Sequence, residues 1–254
     1  MDSKKVYLTI DDGPSRDFKD KVDYLYERNI QSVFFCIGEN LISYEEDVVH
    51  AIKRGFIIGN HSYNHMYFSD MTLEECKASI KKTEDIIERI YHKASVARPM
   101  KLFRFPHFDQ GGDVSSEGYE GKWCKPQSEW FVYENNDKRE EIQAYLRELG
   151  YIQPKFQDVN MKYFLDKAML EDVDVRCTFD QMEYFLHEEN APYGMSTEEA
   201  ILHRIDEDVP YEGRSLNCFD TSDIILVHDM EKTTDLFYKI IDRYIEKEFE
   251  FLKL

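Results

Sequence analysis

No run of apolar residues in this sequence is long enough to cross a bilayer, and no CxxC pair occurs in it. The chain reaches a strand-like run within five residues of Met1, so no apolar export segment is expected. Cysteine is scarce and odd in number: Cys36, Cys76, Cys124, Cys177 and Cys218 stand far apart, and Cys36 sits inside the apolar run Val33–Ile37. That pattern argues against a disulfide framework and against a cysteine-held structural zinc, and it fits reduced thiols; a cytoplasmic protein is expected. With only 11 glycines and 7 prolines, no long flexible linker is indicated. Basic residues are outnumbered 32 to 51, a formal net charge of −19. Such a surface repels phosphate backbones and anionic membranes, so neither a nucleic-acid partner nor membrane insertion is expected.

What is present is enough for a large core: 254 residues, 42% hydrophobic and 14% aromatic. The first third alternates. Val6 to Ile10 reads as a strand, followed by the turn signal Asp11-Asp12-Gly13-Pro14. Phe18, Val22, Leu25 and Tyr26 recur at helical spacing, Ser32 to Ile37 reads as a strand, and a helix is expected over about Ile42 to Arg54. Phe56 to Ile58 reads as a third strand running into Gly59-Asn60-His61. A helix from about Thr72 to Tyr91 opens with the capping box Thr72 and Glu75. Leu102 to Phe105 reads as a fourth strand, stopped by Pro106. The pattern is then lost over about 106–136, where a long ordered loop beside a site and a disordered insertion fit equally. A helix near Lys138 to Leu149 and a strand near Ile152 to Phe156 follow. A second capping box, Ser196 and Glu199, opens a helix to about Ile205. Ile224 to Val227, Thr233 to Lys247 and Phe249 to Leu252 read as strand, helix and a last apolar run. The alternation implies a single α/β domain built on a parallel sheet or barrel, with 106–136 as an inserted loop.

Candidate chemistry gathers at the ends of these strands. Asp11-Asp12, His61 with His65, Arg104 and His228 each lie at or just past the C-terminal end of an expected strand, the face on which barrels build active sites. Taken singly, each has an ordinary reading: a turn, a surface histidine pair, a salt-bridged arginine, a strand-end histidine. Two histidines at i and i+4 on a helical turn present two nitrogens to one cation, and with one carboxylate they form a three-ligand set that leaves positions open for water and substrate. Two adjacent aspartates, Asp11 and Asp12, can divide the labour, one ligating a metal while its neighbour takes a proton from the bound water. Arg104, between Phe103 and Phe105, is expected to be partly buried and paired with a carboxylate such as Asp11. His228, after Ile224-Ile225-Leu226-Val227, is placed to protonate a leaving group.

With these residues set out, the sequence resembles the polysaccharide deacetylases, carbohydrate esterases that remove acetyl groups from chitin-like sugars and peptidoglycan. Thr9-Ile10-Asp11-Asp12-Gly13-Pro14-Ser15 is similar to their first motif, with isoleucine for the usual phenylalanine. His61-Ser62-Tyr63-Asn64-His65 matches the second, Arg104-Phe105-Pro106 the core of the third and Leu226-Val227-His228 the last. The resemblance implies a distorted (β/α) barrel of about seven parallel strand-helix units. It implies one divalent metal ion on Asp12, His61 and His65: zinc, with cobalt, nickel or iron as alternatives. By the same analogy Asp11 is the general base and His228 the general acid; Arg104, paired with Asp11, would keep it ionised and aimed. Backbone N–H groups at His107 and Phe108 would face the oxyanion, and Leu226 would wall the acetyl pocket. The implied substrate is a small molecule or oligosaccharide carrying an acetyl group.

The family's fourth motif places an aspartate beside a tryptophan, and the aspartate orients the acid histidine. Here Asn160, Tyr163 and Phe164 stand where aspartate, aspartate and tryptophan are expected, with Asp158 as a substitute if the loop is shifted. Two other readings stay open: hydrolysis of a non-sugar amide or cyclic ureide on the same barrel, and a metal- or ligand-binding member that has lost turnover. Released acetate against released ammonia separates the first from deacetylation.

Overall fold

The computed structural model describes residues 3–114, 133–160, 171–210 and 213–254. Its hub is β1 (Lys5–Gly13), whose alternating side chains divide two layers. Val6, Leu8 and Ile10 face outward into the apolar layer beneath the helices, while Tyr7 belongs to a separate interior cluster with Leu226 and Phe108. On one side β1 pairs in parallel with β2 (Ser32–Cys36), which pairs with β3 (Ile57–Asn60). On the other it pairs in parallel with β7 (Asp223–His228), which pairs with β6 (Phe179–Asp180). β8 (Glu250–Phe251) joins the start of β1.

The ring closes through residues that form no regular ladder. Asn60 N–H donates to the Leu102 carbonyl (2.8 Å) and Arg104 N–H to the Asn60 carbonyl (3.1 Å), a parallel bridge between Asn60 and Phe103. On the far side Val175 N–H donates to Phe103 O at 2.8 Å, and the chain from Val175 runs on into β6. The result is a distorted (β/α) barrel. The strand expected over Leu102 to Phe105 is therefore reduced to one bridge, because Pro106 has no N–H with which to extend the ladder. The interior is tight. A Cβ on Gly59 would stand 2.6 Å from the Phe35 ring, so glycine there is what admits that ring to the barrel.

Helices cover the outside: α1 (Phe18–Glu27), α2 (Gly38–Ser43), α3 (Glu45–Lys53), α4 (Leu73–Ala94), α5 (Asp137–Glu148), α6 (Glu198–His203) and α7 (Thr234–Glu246). The single helix expected over 42–54 is two, broken at Tyr44, after which Glu45, Glu46 and Asp47 give α3 an acidic first turn that suits its dipole. The capping box on α4 is formed as expected by Thr72 and Glu75. That on α6 is not: Thr197, rather than Ser196, accepts from Ala200 N–H (3.2 Å). No strand forms over 152–156, where Pro154 interrupts the run and Ile152 N–H makes a single bond to Lys101 O. Of the expected loop 106–136, the described parts are a turn at Pro106–Phe108 and an antiparallel pair, β4 (Asp113–Val114) with β5 (Tyr133–Asn135); residues 115–132 lie outside the described residues. Among the described residues, no helix is long and apolar enough to cross a membrane, and Cys36, Cys76 and Cys218 are free thiols.

Candidate active site

Asp11 and Asp12 are neighbours in sequence, and in a regular strand they would point to opposite faces. β1 avoids this with a bulge. Asp11 pairs with Phe35 and Gly13 with the next residue, Cys36, leaving Asp12 as an extra residue with φ of 68°. Both carboxylates consequently turn toward the same mouth of the barrel and line one cavity of about 210 Å³.

The histidines come from the segment after β3, which is a loop and not the expected helical turn. Ser62 and His65 both take left-handed backbone (φ 63° and 57°), which breaks any helix. Side chains hold the loop instead: Ser62 N–H donates to Asn60 Oδ1 (2.9 Å), Tyr63 N–H to Ser79 Oγ (2.9 Å) and His65 N–H to Ser62 Oγ (3.2 Å). Asn60 is fixed in turn by Ile80 O and Tyr151 Oη. His61 lies 2.8 Å through Nδ1 from the Arg104 carbonyl, an acceptor only, so Nδ1 carries the proton and Nε2 presents a lone pair.

These groups fit a cation. His61 Nε2 and His65 Nε2 approach Asp12 Oδ1 to 3.4 and 3.1 Å, yet neither contact has hydrogen-bond geometry, and Oδ1 is buried with no hydrogen-bond partner. An unpaired buried carboxylate oxygen is costly, and a divalent ion shared by one carboxylate and two imidazoles removes that cost. Burial acts to raise the Asp12 pKa, but where the facing imidazoles carry a proton toward it, they and the charge of His228 outweigh burial and hold the carboxyl well below its usual range. Asp12, His61 and His65 have ligand atoms within 4.8 Å of one another.

Arg104 is wholly buried and stacked on Phe35, its guanidinium 4.3 Å from the ring centroid. It donates to Asp11 Oδ1 (2.7 Å), Thr9 Oγ1 (2.9 Å) and Val175 O (3.0 Å). One Asp11 oxygen is thus engaged, while Oδ2 lies 3.7 Å from His61 Nε2, on the side of the candidate ligands. His228 is directly across the ladder, its Cα partnered with that of Asp11.

The group that faces His228 is not the one expected. Asn160 lies beside Thr221, and Val159 bridges Ser222 at the start of β7, six residues before His228 and roughly 20 Å down a strand from it. Tyr163 and Phe164 lie outside the described residues. His228 instead meets Glu183, whose Oε1 is 3.3 Å from Nδ1 and also accepts the His228 backbone N–H. Asp180 lies beside them, accepting from Tyr184 Oη at 3.0 Å, and the Tyr184 ring stands edge-on to the imidazole at 4.8 Å. Asp180, Glu183 and Tyr184 repeat the i, i+3, i+4 spacing sought at Asn160, Tyr163 and Phe164, at the end of a strand and on acidic residues. Burial depresses the His228 pKa, but the charges of Glu183, Asp12 and Asp180 and the Glu183 hydrogen bond prevail and raise it to about 10.

His107, Phe108 and Leu226 line the same cavity as the two aspartates and the three histidines. Phe108 N–H donates within its own turn to Phe105 O (3.1 Å), so of the two expected oxyanion donors this one is already engaged.

Residues 1–120 match the family model described as polysaccharide deacetylase. Over 87 residues the chain is 37% identical to a peptidoglycan-N-acetylglucosamine deacetylase of Bacillus cereus; the stretch covers 34% of this chain and 32% of that protein. The chain thus spans about a third of the length of that curated relative. The solved structure of the peptidoglycan deacetylase PdaC from Bacillus subtilis superposes with a TM-score of 0.58 at 19% identity, covering 98% of this chain and 87% of that one. A CE4 family pseudoenzyme from Bacillus anthracis gives 0.57 at 15% identity, covering 98% and 63%. At these identities the structures speak to fold. Asp11, Asp12, His61, His65 and Arg104 fall inside the matched segment, and Asp180, Glu183 and His228 fall beyond it.

Proposed function

Because the chain belongs to the polysaccharide deacetylase family, we propose that it is a metal-dependent hydrolase removing an acetyl group from an N-acetylated sugar or related glycan intermediate. The observation that carries this reading is the buried, unpaired Asp12 Oδ1 facing two imidazole nitrogens in a cavity that Asp11 and His228 also line. A divalent ion, zinc in this reading, held by Asp12, His61 and His65 would polarise the acetyl carbonyl and acidify the attacking water.

The chain's own residues do the rest. Arg104 fixes one oxygen of Asp11, and Oδ2 accepts the proton of the water as its hydroxyl adds to the carbonyl carbon. The turn at His107 contributes to holding the oxyanion. When the C–N bond breaks, the imidazolium of His228 gives its proton to the departing amine nitrogen and acetate is left. Glu183 keeps that imidazole charged and oriented, and Leu226 walls the methyl side of the cavity.

Metal analysis of purified protein, coupled to a screen for acetate and ammonia release over N-acetylated sugars, tests the proposal. Stoichiometric divalent metal with acetate release supports it. Ammonia release from a non-sugar amide, or metal with no turnover of any substrate, sinks it.

Glu183 gives a second prediction. An acid with a raised pKa works until the pH climbs through that pKa, so His228 extends activity to alkaline pH; a cation on Asp12 offsets that residue's share and brings the limb below 10. Glu183→Gln keeps the shape and removes the charge. The alkaline limb of kcat/KM is expected to move to lower pH by about one unit or more. An unmoved limb would show that Glu183 does not act through His228.

A further inference from the structure

We propose that His107 is a positioning residue that fixes the ring of His65 and so strengthens the hold on the cation; this rests on the ligand assignment above. The two candidate histidine ligands are supported very differently. His61 is 2% exposed and its Nδ1 is pinned by the Arg104 carbonyl. The His65 side chain is 26% exposed, and among the described residues no hydrogen-bond acceptor stands on its Nδ1. Metal-ligating histidines nearly always have such an acceptor to fix the ring. In its absence packing is what limits rotation about the side-chain bonds.

That packing comes from rings on both sides. The His61 ring lies 5.0 Å from His65 between centroids, and the His107 ring stands edge-on at 4.4 Å. His107 is itself stacked on Tyr67 at 3.9 Å with 14° between the planes, so it is backed and cannot swing away. The backing is built into the fold. His107 and Phe108 both have left-handed backbone (φ 55° and 57°), rarely adopted without surrounding constraint. The buried carboxylate of Asp109 holds the turn to the loop that carries Tyr67, accepting from Ser69 N–H (2.8 Å), Ser69 Oγ (2.7 Å) and Gly111 N–H (3.0 Å). Tyr67, His107 and His65 are thereby aligned by a staple that touches none of the ligand atoms.

The test is zinc affinity of the full chain, measured on apo-protein by competition with a chromophoric chelator, with thermal unfolding checking each variant. His107→Ala is expected to weaken zinc binding by about tenfold, as loss of a group that orients a ligand does. His107→Phe, which keeps a ring but no nitrogen, is expected to stay within about threefold of wild type, and Tyr67→Ala to follow His107→Ala in direction. Cobalt substitution supplies an independent readout, since the ligand-field spectrum should broaden in His107→Ala and not in His107→Phe. Wild-type affinity in His107→Ala overturns the clamp. So does equal loss in His107→Phe and His107→Ala, which would make the imidazole nitrogen the active element. A wild-type chain that binds no zinc or cobalt overturns the ligand assignment itself.

Discussion

Asp12→Ala is expected to leave the purified protein without bound divalent metal and without measurable acetate release, whereas Asp11→Asn should keep the metal and lose about 10²–10⁴-fold in kcat. The contrast follows from the bulge that gives the two neighbours different surroundings. Asp12 Oδ1 faces the two imidazoles and carries no hydrogen bond, so its removal deletes a ligand outright. Asp11 already satisfies Arg104 through Oδ1, and Oδ2 is left to take a proton. Asparagine keeps the shape and an oxygen for Arg104 but has lost the basic oxygen. Metal analysis with kcat on the same preparations separates the two. Loss of metal in both variants, or full turnover in either, would undo the division of labour.

The second large effect is on stability. Lys21 and Asp229 form an ion pair at 2.6 Å with both side chains fully buried, at the mouth of the barrel next to His228. Asp229 also accepts Ser15 N–H (2.8 Å) and Ser15 Oγ (2.6 Å), tying the turn after β1 to the end of β7. Lys21→Met strands a buried carboxylate and is expected to cost about 3–5 kcal/mol in denaturant unfolding. Replacing both partners by apolar residues should recover much of that loss, since no charge is then left unpaired. A single-variant loss near 1 kcal/mol, as for an exposed pair, would show that water reaches the site.

Much of this was legible in the sequence, unevenly. The first strands, α1 and α4 could be read because their periodicity is local and their caps and turns are made by adjacent residues. The pairing of Arg104 with Asp11 was legible because a guanidinium between two phenylalanines in a strand needs a buried partner. The partner of His228 was missed for a physical reason. β6 is two residues long and is followed by a 3₁₀ turn with Met182 in left-handed backbone, so no alternation marks Asp180 as a strand end. The same i, i+3, i+4 spacing also occurs at Asn160, Tyr163 and Phe164. Closure of the ring could not be read either, since it depends on isolated hydrogen bonds between segments far apart in sequence.

The bulge at Asp12 also governs whether this site can be moved. Over the stretch that carries the aspartates, β1 holds one residue more than the strand beside it. Writing Asp-Asp-Gly into a strand of another scaffold would reproduce the letters without the surplus residue. One carboxylate would then enter the layer that Val6, Leu8 and Ile10 occupy here, buried against helices with no cation or arginine to meet it. A successful graft must carry the length mismatch between neighbouring strands along with the side chains.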